Sequence, residues 1–180
     1  ECARRAREGA AEGLVVVADA QSAGRGRFDR MWVSPPGNLH LSMLLRPSAG
    51  VADAPFGLFA SLAVADAVER LAVAGVALKW PNDLTVGEKK LCGILSTGGI
   101  DDRGGRFAVV GIGVNLNARP AGVEMPVVTL AEITGGEVDT TAFAAAVVVG
   151  FFVRYRRLEA EGPGAQLNEW ETRSGWVGQA

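Results

Sequence analysis

The sequence predicts an α+β fold in which a mixed, mostly antiparallel sheet carries helices packed on one side. Two long segments with helical spacing of apolar residues are separated by several short strand-like segments, and this order differs from the regular alternation of βαβ proteins. With 180 residues, of which 48% are hydrophobic, the chain can bury one substantial core. We therefore expect a single domain over residues 1–180.

The first quarter of the chain predicts one helix and two strands. An alanine- and arginine-rich segment, residues 1–12, is typical of a helix that ends near Gly9 or Gly13. The run LVVVA at residues 14–18 has no polar alternation and predicts a strand covered on both faces. NLHLSMLLR at residues 38–46 predicts the next strand, which ends before Pro47.

The middle of the chain predicts a helix followed by a hairpin. Pro55 suits the first turn of a helix, and the apolar residues after it recur at helical spacing: Phe56, Phe59, Ala63, Ala67 and Leu71. Short strands are expected at residues 76–79 and 84–86, on either side of the turn WPND. Gly87 and Glu88 predict a tight reversal into KLCGILST, so residues 84–97 form a hairpin.

The last part of the chain predicts one more buried strand and two helices. The strand is FAVVGIGVNL, residues 107–116. Asp139 is expected to cap a long helix that Gly162-Pro163-Gly164 ends. A short helix carrying Leu167 and Trp170 then precedes a glycine-rich, turn-like tail.

Composition excludes several classes of protein. A net charge of −2 disfavours nonspecific binding to nucleic acid or membranes, so any cationic function needs local clustering. Cys2 and Cys92 predict no disulfide framework, and no apolar run is long enough to span a bilayer, which together favour a cytoplasmic protein. His40 is the only histidine, which disfavours a catalytic triad or a zinc site. Its apolar neighbours predict a histidine that lines one face of a strand.

Cations are concentrated in AGRGRFDRMWVSPP, residues 23–36, which we call the arginine loop. Gly24 precedes Arg25 and Gly26 separates it from Arg27, and glycines allow sharp turns and close approach of a ligand. The guanidinium groups of these two residues and of Arg30 suit carboxylate and phosphate oxygens. The loop therefore predicts either a flexible clamp for an anion or a solvated surface loop that is basic by chance.

Two further motifs fall at strand ends or turns. Lys79-Trp80-Pro81-Asn82-Asp83 is followed by Lys90 on the returning arm of the hairpin. A lysine beside an apolar run is unusual without a partner, so this favours a functional site, although a polar hairpin turn also explains it. GIGVN at residues 111–115 permits close approach of a ligand beside Asn115, or is a glycine-containing core strand. Neither GRGR nor GIGVN completes a phosphate loop or a dinucleotide fingerprint.

Taken in order, GRGRFDRMWVSPPGNL, KWPNDL with KKLCGIL behind it, and GIGVN closely resemble the motifs of biotin–protein ligases. The resemblance covers nearly the whole chain and implies the fold shared with class II aminoacyl-tRNA synthetases. It implies that ATP and Mg2+ convert biotin to biotinyl-5'-AMP, and that biotin passes to a lysine of the biotin carboxyl carrier protein of acetyl-CoA carboxylase or a related carboxylase. Because one anion attacks another, catalysis would depend on positioning and electrostatic stabilisation.

The resemblance also implies roles for individual residues. Lys90 would bridge the biotin carboxylate and the reacting phosphate, while Arg25 and Arg27 close over the acyl-adenylate. The biotin pocket would be lined by Gln21, Gly24, Arg25, Lys90, Gly93 and Gly113. The nucleotide would be held by Arg27, Arg30, Lys79, Asn82, Asn115 and Trp32, which would stack on the adenine. Asp83 would support Mg2+ or the turn.

The chain departs from the family's pattern in two respects. Phe28-Asp29 stands where the family has Arg-Gly, which removes a cation from the loop and adds an anion. The family's Ser-Thr-Asn segment, its small C-terminal β-barrel and a DNA-binding helix-turn-helix have no counterpart here, so no DNA partner is expected and a homodimer stays open. The alternatives are a lipoate or octanoate ligase or transferase of the same fold, or a truncated biotin-binding module with little turnover.

Overall fold

A computed structural model describes residues 1–174. Within these residues, six strands form one sheet in the spatial order β1-β2-β6-β5-β4-β3, and all neighbouring strands are antiparallel. The strands are β1 Val15–Ala18, β2 Leu39–Leu45, β3 Val76–Lys79, β4 Asp83–Val86, β5 Lys89–Ile100 and β6 Arg106–Val114. The helices are α1 Cys2–Arg7, α2 Phe56–Glu69, α3 Leu130–Thr134, α4 Thr140–Glu161 and α5 Gly164–Ser174. The α+β class is confirmed.

The three longer helices share one face of the sheet, as predicted. Successive side chains of a strand point to opposite faces, and the alternate residues of β2 and β6 that enter this helical layer are Leu39, Leu41, Met43, Leu45, Ala108, Val110, Ile112 and Val114. From the helices, Phe59 of α2 and Phe151 of α4 are fully buried against them, and Trp170 of α5 joins the same core. No helix within residues 1–174 is both long and apolar enough to cross a membrane.

The short α1 packs on the opposite face. Cys2 and Ala6 lie against Leu44 of β2 and against Phe107 and Val109 of β6. The prediction of helices on one side therefore applies to the longer helices, and α1 is an addition on the other face. Because α1 is short, it covers only one end of that face and leaves the other end to the arginine loop.

Most predicted elements are confirmed within a few residues, and three features differ. The sequence predicts that β1 is covered on both faces, but it is an edge strand and Val17 is 53% exposed. β5 continues to Ile100 because β6 pairs with it along that length. The sequence does not predict α3, whose start is set by a capping box between Thr129 and Glu132. The predicted glycine-rich tail, residues 175–180, lies outside the described residues.

Local turn and capping signals are confirmed by the structure. β4 and β5 form the predicted hairpin around Gly87, whose φ of +57° lies in the region that favours glycine. Asp139 caps α4, since its Oδ1 accepts hydrogen bonds of 2.9 Å from the N–H groups of Thr141 and Ala142. α4 ends at Gly162. These short-range signals could be predicted because the interacting groups are close in sequence.

Candidate active site

One row of residues crosses the sheet on the face opposite the longer helices, and we call it the cross-sheet row. Residues paired across antiparallel strands lie side by side on one face. From β1 to β3, in sheet order, the row consists of Ala18, His40, Gly113, Gly93, Asp83 and Lys79. Four of these residues belong to the predicted site: Gly113, Gly93, Asp83 and Lys79. The antiparallel register therefore joins motifs that are far apart in the sequence.

Gly93 and Gly113 form a flat shelf in the middle of the row, and Trp32 lies on this glycine shelf. A Cβ on Gly113 would come 2.5 Å from Trp32 Nε1, and a Cβ on Gly93 would come 2.8 Å from a carbon of the same ring. Such distances exclude any larger residue without movement of the indole. The shelf thus explains why two glycines occupy the centre of a packed sheet.

The Lys90 ammonium lies beside the shelf and is paired with a carboxylate. Lys90 Nζ is 2.8 Å from Asp83 Oδ2, and their side chains are only 15% and 21% exposed. Nζ is also 5.4 Å from the centroid of the Trp32 ring, a cation–π distance. A lysine this buried needs such a partner, because desolvating an unpaired ammonium is costly. Asp83 is therefore the carboxylate that holds Lys90.

The second oxygen of Asp83 is available for another interaction. Asp83 Oδ1 is buried and has no hydrogen-bond partner among the residues that the structure describes. Buried polar atoms are rarely left unpaired in folded proteins. The carboxylate can therefore hold Lys90 with one oxygen and accept a ligand, a water or a cation with the other.

The two asparagines of the predicted nucleotide site are already engaged with β5. Asn82 Nδ2 donates to the carbonyl of Ile94 at 2.8 Å, and Asn115 Nδ2 donates to the carbonyl of Lys90 at 3.3 Å. Asn115 is almost fully buried. Both side chains therefore hold β5, the strand that carries Lys90. Asn82 does so from the turn before β4, and Asn115 from the end of β6. Lys79 is exposed at the end of β3.

The arginine loop folds back on itself through backbone hydrogen bonds. The N–H of Gly26 donates to the carbonyl of Arg30 at 2.7 Å, and the N–H of Trp32 donates to that of Gly24 at 2.9 Å. The tip is a single 3-10 turn in which Phe28 and Asp29 both have a φ of 55°. This region is costly for a residue such as phenylalanine. The loop is therefore a defined turn and not an irregular segment.

All three arginines of the loop are at least partly exposed. Arg25 and Arg30 are exposed, and Arg27 Cζ lies 4.8 Å from the centroid of the Phe28 ring. No ion pair involves any of the three within residues 1–174. Cations without a partner are suited to bind an anionic ligand.

Gln21 and Gly24 form the base of the same loop. Ser34 Oγ donates to Gln21 Oε1 at 2.7 Å. A Cβ on Gly24 would come 2.7 Å from Ser34 Oγ and closer still to the carbonyl of Trp32, so glycine is required at this position. These contacts hold the loop at the point from which Trp32 reaches the glycine shelf.

These motifs match a known family of enzymes. Over residues 5–117, the chain matches the model of the "Biotin/lipoate A/B protein ligase family". The chain belongs to this family. Among curated members, the biotin--[acetyl-CoA-carboxylase] ligase of Paracoccus denitrificans is 36% identical over 172 residues, covering 91% of this chain and 72% of that protein.

Solved and longer members of the biotin/lipoate ligase family agree with this assignment. The biotin protein ligase from Aquifex aeolicus in complex with biotin and ATP superposes with a TM-score of 0.83 at 30% identity, covering 99% of this chain and 76% of that one. The bifunctional ligase/repressor BirA of Bacillus subtilis is 35% identical over 159 residues, covering 84% of this chain and 48% of that protein. The chain thus spans about half the length of such ligase/repressor relatives.

Sequence reasoning missed two features that lie next to the predicted site residues. His40 lies in the cross-sheet row, next to Gly113, although its position in β2 predicts only a histidine that lines a strand face. The segment around Pro126 and Val128 brackets Lys90, because the N–H of Lys90 donates to the carbonyl of Pro126 and the N–H of Val128 donates to that of Lys90. The sequence does single out His40, because it is the only histidine of the chain and lies beside an apolar run. The segment around Pro126 carries no comparable signal.

Proposed function

We propose that residues 1–180 are the single catalytic domain of a biotin–protein ligase. It would convert biotin and ATP to biotinyl-5'-AMP and pyrophosphate, and then transfer biotin to a lysine of a biotin carboxyl carrier protein. The observation that carries the proposal is the Lys90 ammonium, held by Asp83 beside the glycine shelf. The names of the relatives in Paracoccus denitrificans and Aquifex aeolicus support the same activity.

Lys90 would neutralise the charge that develops when the biotin carboxylate attacks the α-phosphate. In water two anions repel, and a fixed cation in a partly buried site lowers that barrier more than a solvated one does. Asp83 keeps the ammonium in one position, so little reorganisation is needed during the reaction. The backbone bonds from the segment around Pro126 fix the same residue from the other side.

The arginine loop would close over the charged part of the adenylate. Arg25 and Arg27 would contact the acyl phosphate and Arg30 the departing pyrophosphate, because these guanidinium groups have no acidic partner within the described chain. Trp32 would give the adenine a stacking surface, and Lys79 would contact phosphate at the end of β3. Asn82 and Asn115 would contact the nucleotide, and they would also keep β5 and its Lys90 in position through their hydrogen bonds to β5 carbonyls.

Mg2+ would be held mainly by the phosphates of ATP. Among residues 1–174, no group of three or more His, Cys, Asp or Glu side chains is placed to hold a metal. Asp83 Oδ1 fits one ligand position, since Mg2+ takes oxygen ligands and often uses one or two carboxylates together with substrate phosphates. The ion would balance phosphate charge, while Lys90 and the arginines contact the oxygens that it leaves free.

The carrier protein would reach the adenylate from the β1 side of the sheet. β1 is an edge strand whose Val17 is exposed, whereas the opposite edge, β3, packs against α2 and α5. An unpaired edge is a common docking place for a β-rich partner, and a second copy of this chain would compete for it in a homodimer.

We infer a cytoplasmic protein without DNA as a partner, consistent with a net charge of −2.

The test is exchange of labelled pyrophosphate into ATP, with biotin, lipoate or octanoate as the acid. Biotin is expected to support exchange. Lys90→Ala is expected to reduce the rate at least about a hundredfold, because it removes the cation at the reacting phosphate. Lys89→Ala removes a neighbouring exposed lysine of the same strand and is expected to change the rate less than about twofold.

Other results of the exchange experiment would change the proposed substrate, the proposed activity or the role of Lys90. Exchange with octanoate or lipoate but not with biotin would overturn the assignment of the substrate. Binding of biotin without exchange would favour a truncated binding module. A Lys90→Ala protein that keeps full exchange would remove Lys90 from the reaction.

A further inference from the structure

The tip of the arginine loop places an aromatic ring against a cation. Arg27 Cζ lies over the Phe28 ring at 4.8 Å from its centroid, which is within the range of a cation–π interaction. Phe28 is 79% exposed, so its contact with Arg27 is not a by-product of packing in the core. The reaction described above gives this ring no role.

The backbone at Phe28 is held in a costly conformation. Its φ of 55° and ψ of 42° lie in the left-handed region, which a phenylalanine rarely adopts. Glycine would make the same turn without this cost. Residues held in such regions are concentrated at active sites, ligand clamps and switch regions. A phenylalanine at this position therefore suggests that the ring itself is needed.

The turn also explains how two adjacent side chains can meet. In an extended chain, successive side chains point to opposite sides, so the ring of Phe28 would point away from Arg27. The 3-10 turn over Arg27–Asp29 changes this direction, and the ring comes to lie under the guanidinium. The strained backbone and the contact are thus parts of one local arrangement.

A ring holds a guanidinium without using its hydrogen-bond donors. The N–H groups lie in the plane of the guanidinium, whereas aromatic rings stack on its flat face. A carboxylate partner would occupy two of these N–H groups and offset the charge. Within residues 1–174, neither Arg27 nor the neighbouring Asp29 forms an ion pair. Arg27 is therefore held by a group that leaves its donors free for an anion.

We propose that Phe28 is a positioning residue for Arg27. The ring keeps the guanidinium in one orientation at the loop tip, so less side-chain freedom is lost when Arg27 binds the acyl phosphate. Because the two residues are adjacent, the contact moves with the tip when the loop closes. This inference rests on the proposed function. It gives a role to Phe28, which stands where the resemblance leads to the expectation of another arginine: the chain has one cation fewer and orients a remaining one.

The test measures how long the protein retains biotinyl-5'-AMP. Each protein is loaded with the labelled adenylate, and release is followed after dilution into an excess of the unlabelled compound, so variants that cannot synthesise it are also measured. Phe28→Leu keeps an apolar side chain without the ring and is expected to release the adenylate about two- to fivefold faster. Phe28→Tyr keeps the ring and is expected to release it at the wild-type rate. Met31→Ala, which shortens another exposed apolar side chain of the loop, is the control and is expected to leave the rate unchanged.

Two further variants separate positioning from other roles of Phe28. In an Arg27→Ala background, Phe28→Leu is expected to have no further effect, because no guanidinium is left for the ring to hold. Phe28→Gly relieves the backbone and removes the ring, and it is expected to release the adenylate as fast as Phe28→Leu. Circular dichroism and thermal unfolding verify that the variants fold, as expected for changes at an exposed loop tip.

Other results would overturn either this inference or the proposed function. Wild-type release from Phe28→Leu, or an equal acceleration in the Arg27→Ala background, would show that Phe28 does not act through Arg27, while the proposed function stands. Wild-type release from Phe28→Gly would show that the ring is not needed. A wild-type protein that neither retains the adenylate nor supports pyrophosphate exchange with biotin would contradict the proposed function itself.

Discussion

At the residue scale, Lys90 and Cys92 show how the two faces of one strand differ. Lys90 lies on the site side with Asp83, whereas Cys92 joins the core beneath the helices and is fully buried. Burial raises the pKa of the Cys92 thiol, so it stays protonated and unreactive although a lysine is close by. On this part of β5, the site face thus carries a paired cation and the core face a neutral thiol.

The glycine shelf leads to a prediction about Gly113. Gly113→Ala is expected to destabilise the protein by about 1–3 kcal/mol, because the added methyl group overlaps the Trp32 ring and the packing must change. In a Trp32→Ala background the same change is expected to cost less than about 0.5 kcal/mol. Urea unfolding of the four proteins measures this double-mutant cycle.

Gly98→Ala is the matched control for this prediction. Gly98 is also a strand glycine, but its Cβ would meet Phe107 O at 3.8 Å, an ordinary contact. Its free energy of unfolding is expected to change by less than about 0.5 kcal/mol. Equal losses for Gly113→Ala with and without Trp32 would show that the indole does not lie on the shelf.

At the element scale, an ionic network joins the three longer helices. Asp66 of α2 accepts hydrogen bonds of 2.7 Å from Arg154 of α4 and from Arg173 of α5. Glu169 of α5 also pairs with Arg154. Burial alone would raise the pKa of Asp66, but the two arginines hold it below its usual value. The network fixes α5 on the helical layer.

The position of α5 also matters for the site. Trp170 Nε1 donates to Ser61 Oγ of α2 at 2.9 Å, which anchors α5 in the core. Its ring meets Trp80 edge to face, with 5.9 Å between ring centroids. Trp80 belongs to the KWPND turn, next to Asn82 and Asp83. α5 thus supports, from behind, the turn that carries Asp83.

Removing the charge of Asp66 tests the network. Asp66→Asn keeps the shape of the side chain and is expected to lower the free energy of unfolding by about 1–2 kcal/mol, since Arg154 is only 14% exposed and loses half of its compensation. Chemical denaturation measures the loss. Glu161→Gln, which breaks the exposed pair with Arg157, is the control and is expected to cost less than about 0.5 kcal/mol. Equal costs would mean that the network adds no more than a surface pair.

At the scale of the whole molecule, shifted pKa values set the pH range of stability. The folded state lowers the pKa of six carboxyl groups, those of Glu1, Asp66, Asp101, Glu132, Glu159 and Glu169. A lowered pKa means that the unfolded chain binds more protons, so this stability is present above the unfolded values of 3.8 and 4.5 and is lost as the pH falls below them.

Shifted pKa values of His40, Cys92 and Tyr155 set the limits of stability at higher pH. Burial lowers the pKa of His40, so its contribution is lost as the pH falls below the unfolded value of 6.5. Burial raises the pKa of Cys92 and Tyr155, so stability falls as the pH rises above their unfolded values of 9.0 and 10.0. The protein is therefore expected to be most stable between about pH 6.5 and 9.

Urea unfolding at intervals from pH 3 to pH 10 measures this profile. The midpoint is expected to fall slightly between pH 6.5 and 5 and steeply below pH 4.5. Asp66→Asn is expected to flatten the steep part, because one of the groups that takes up a proton on unfolding is gone. A midpoint that rises between pH 4.5 and 3 would contradict the assignment of these carboxyl groups.

Much of the fold could be predicted because its signals are local. The helical spacing from Phe56 onward, the cap at Asp139 and the turn at Gly87 each depend on residues a few positions apart, and each is confirmed. The exposure of Val17 in β1 could not be predicted, because a run of valines does not reveal whether another layer covers each face of the strand. The sequence indicated that Lys90 is unusual without a partner, but it did not identify Asp83 as that partner.

By itself, the sequence determined most of the elements, the family motifs and the residue types that suit an anionic ligand. The spacing of residues along the chain was enough to predict these features, because capping, turn formation and side-chain alternation depend on residues that are close in sequence. Only the tertiary structure decided that His40, Gly113, Gly93 and Asp83 form one row, and that Trp32 lies on the glycines between them. The physical reason is the register of the antiparallel sheet, which pairs residues from strands far apart in sequence and so places His40 beside the glycine on which Trp32 lies.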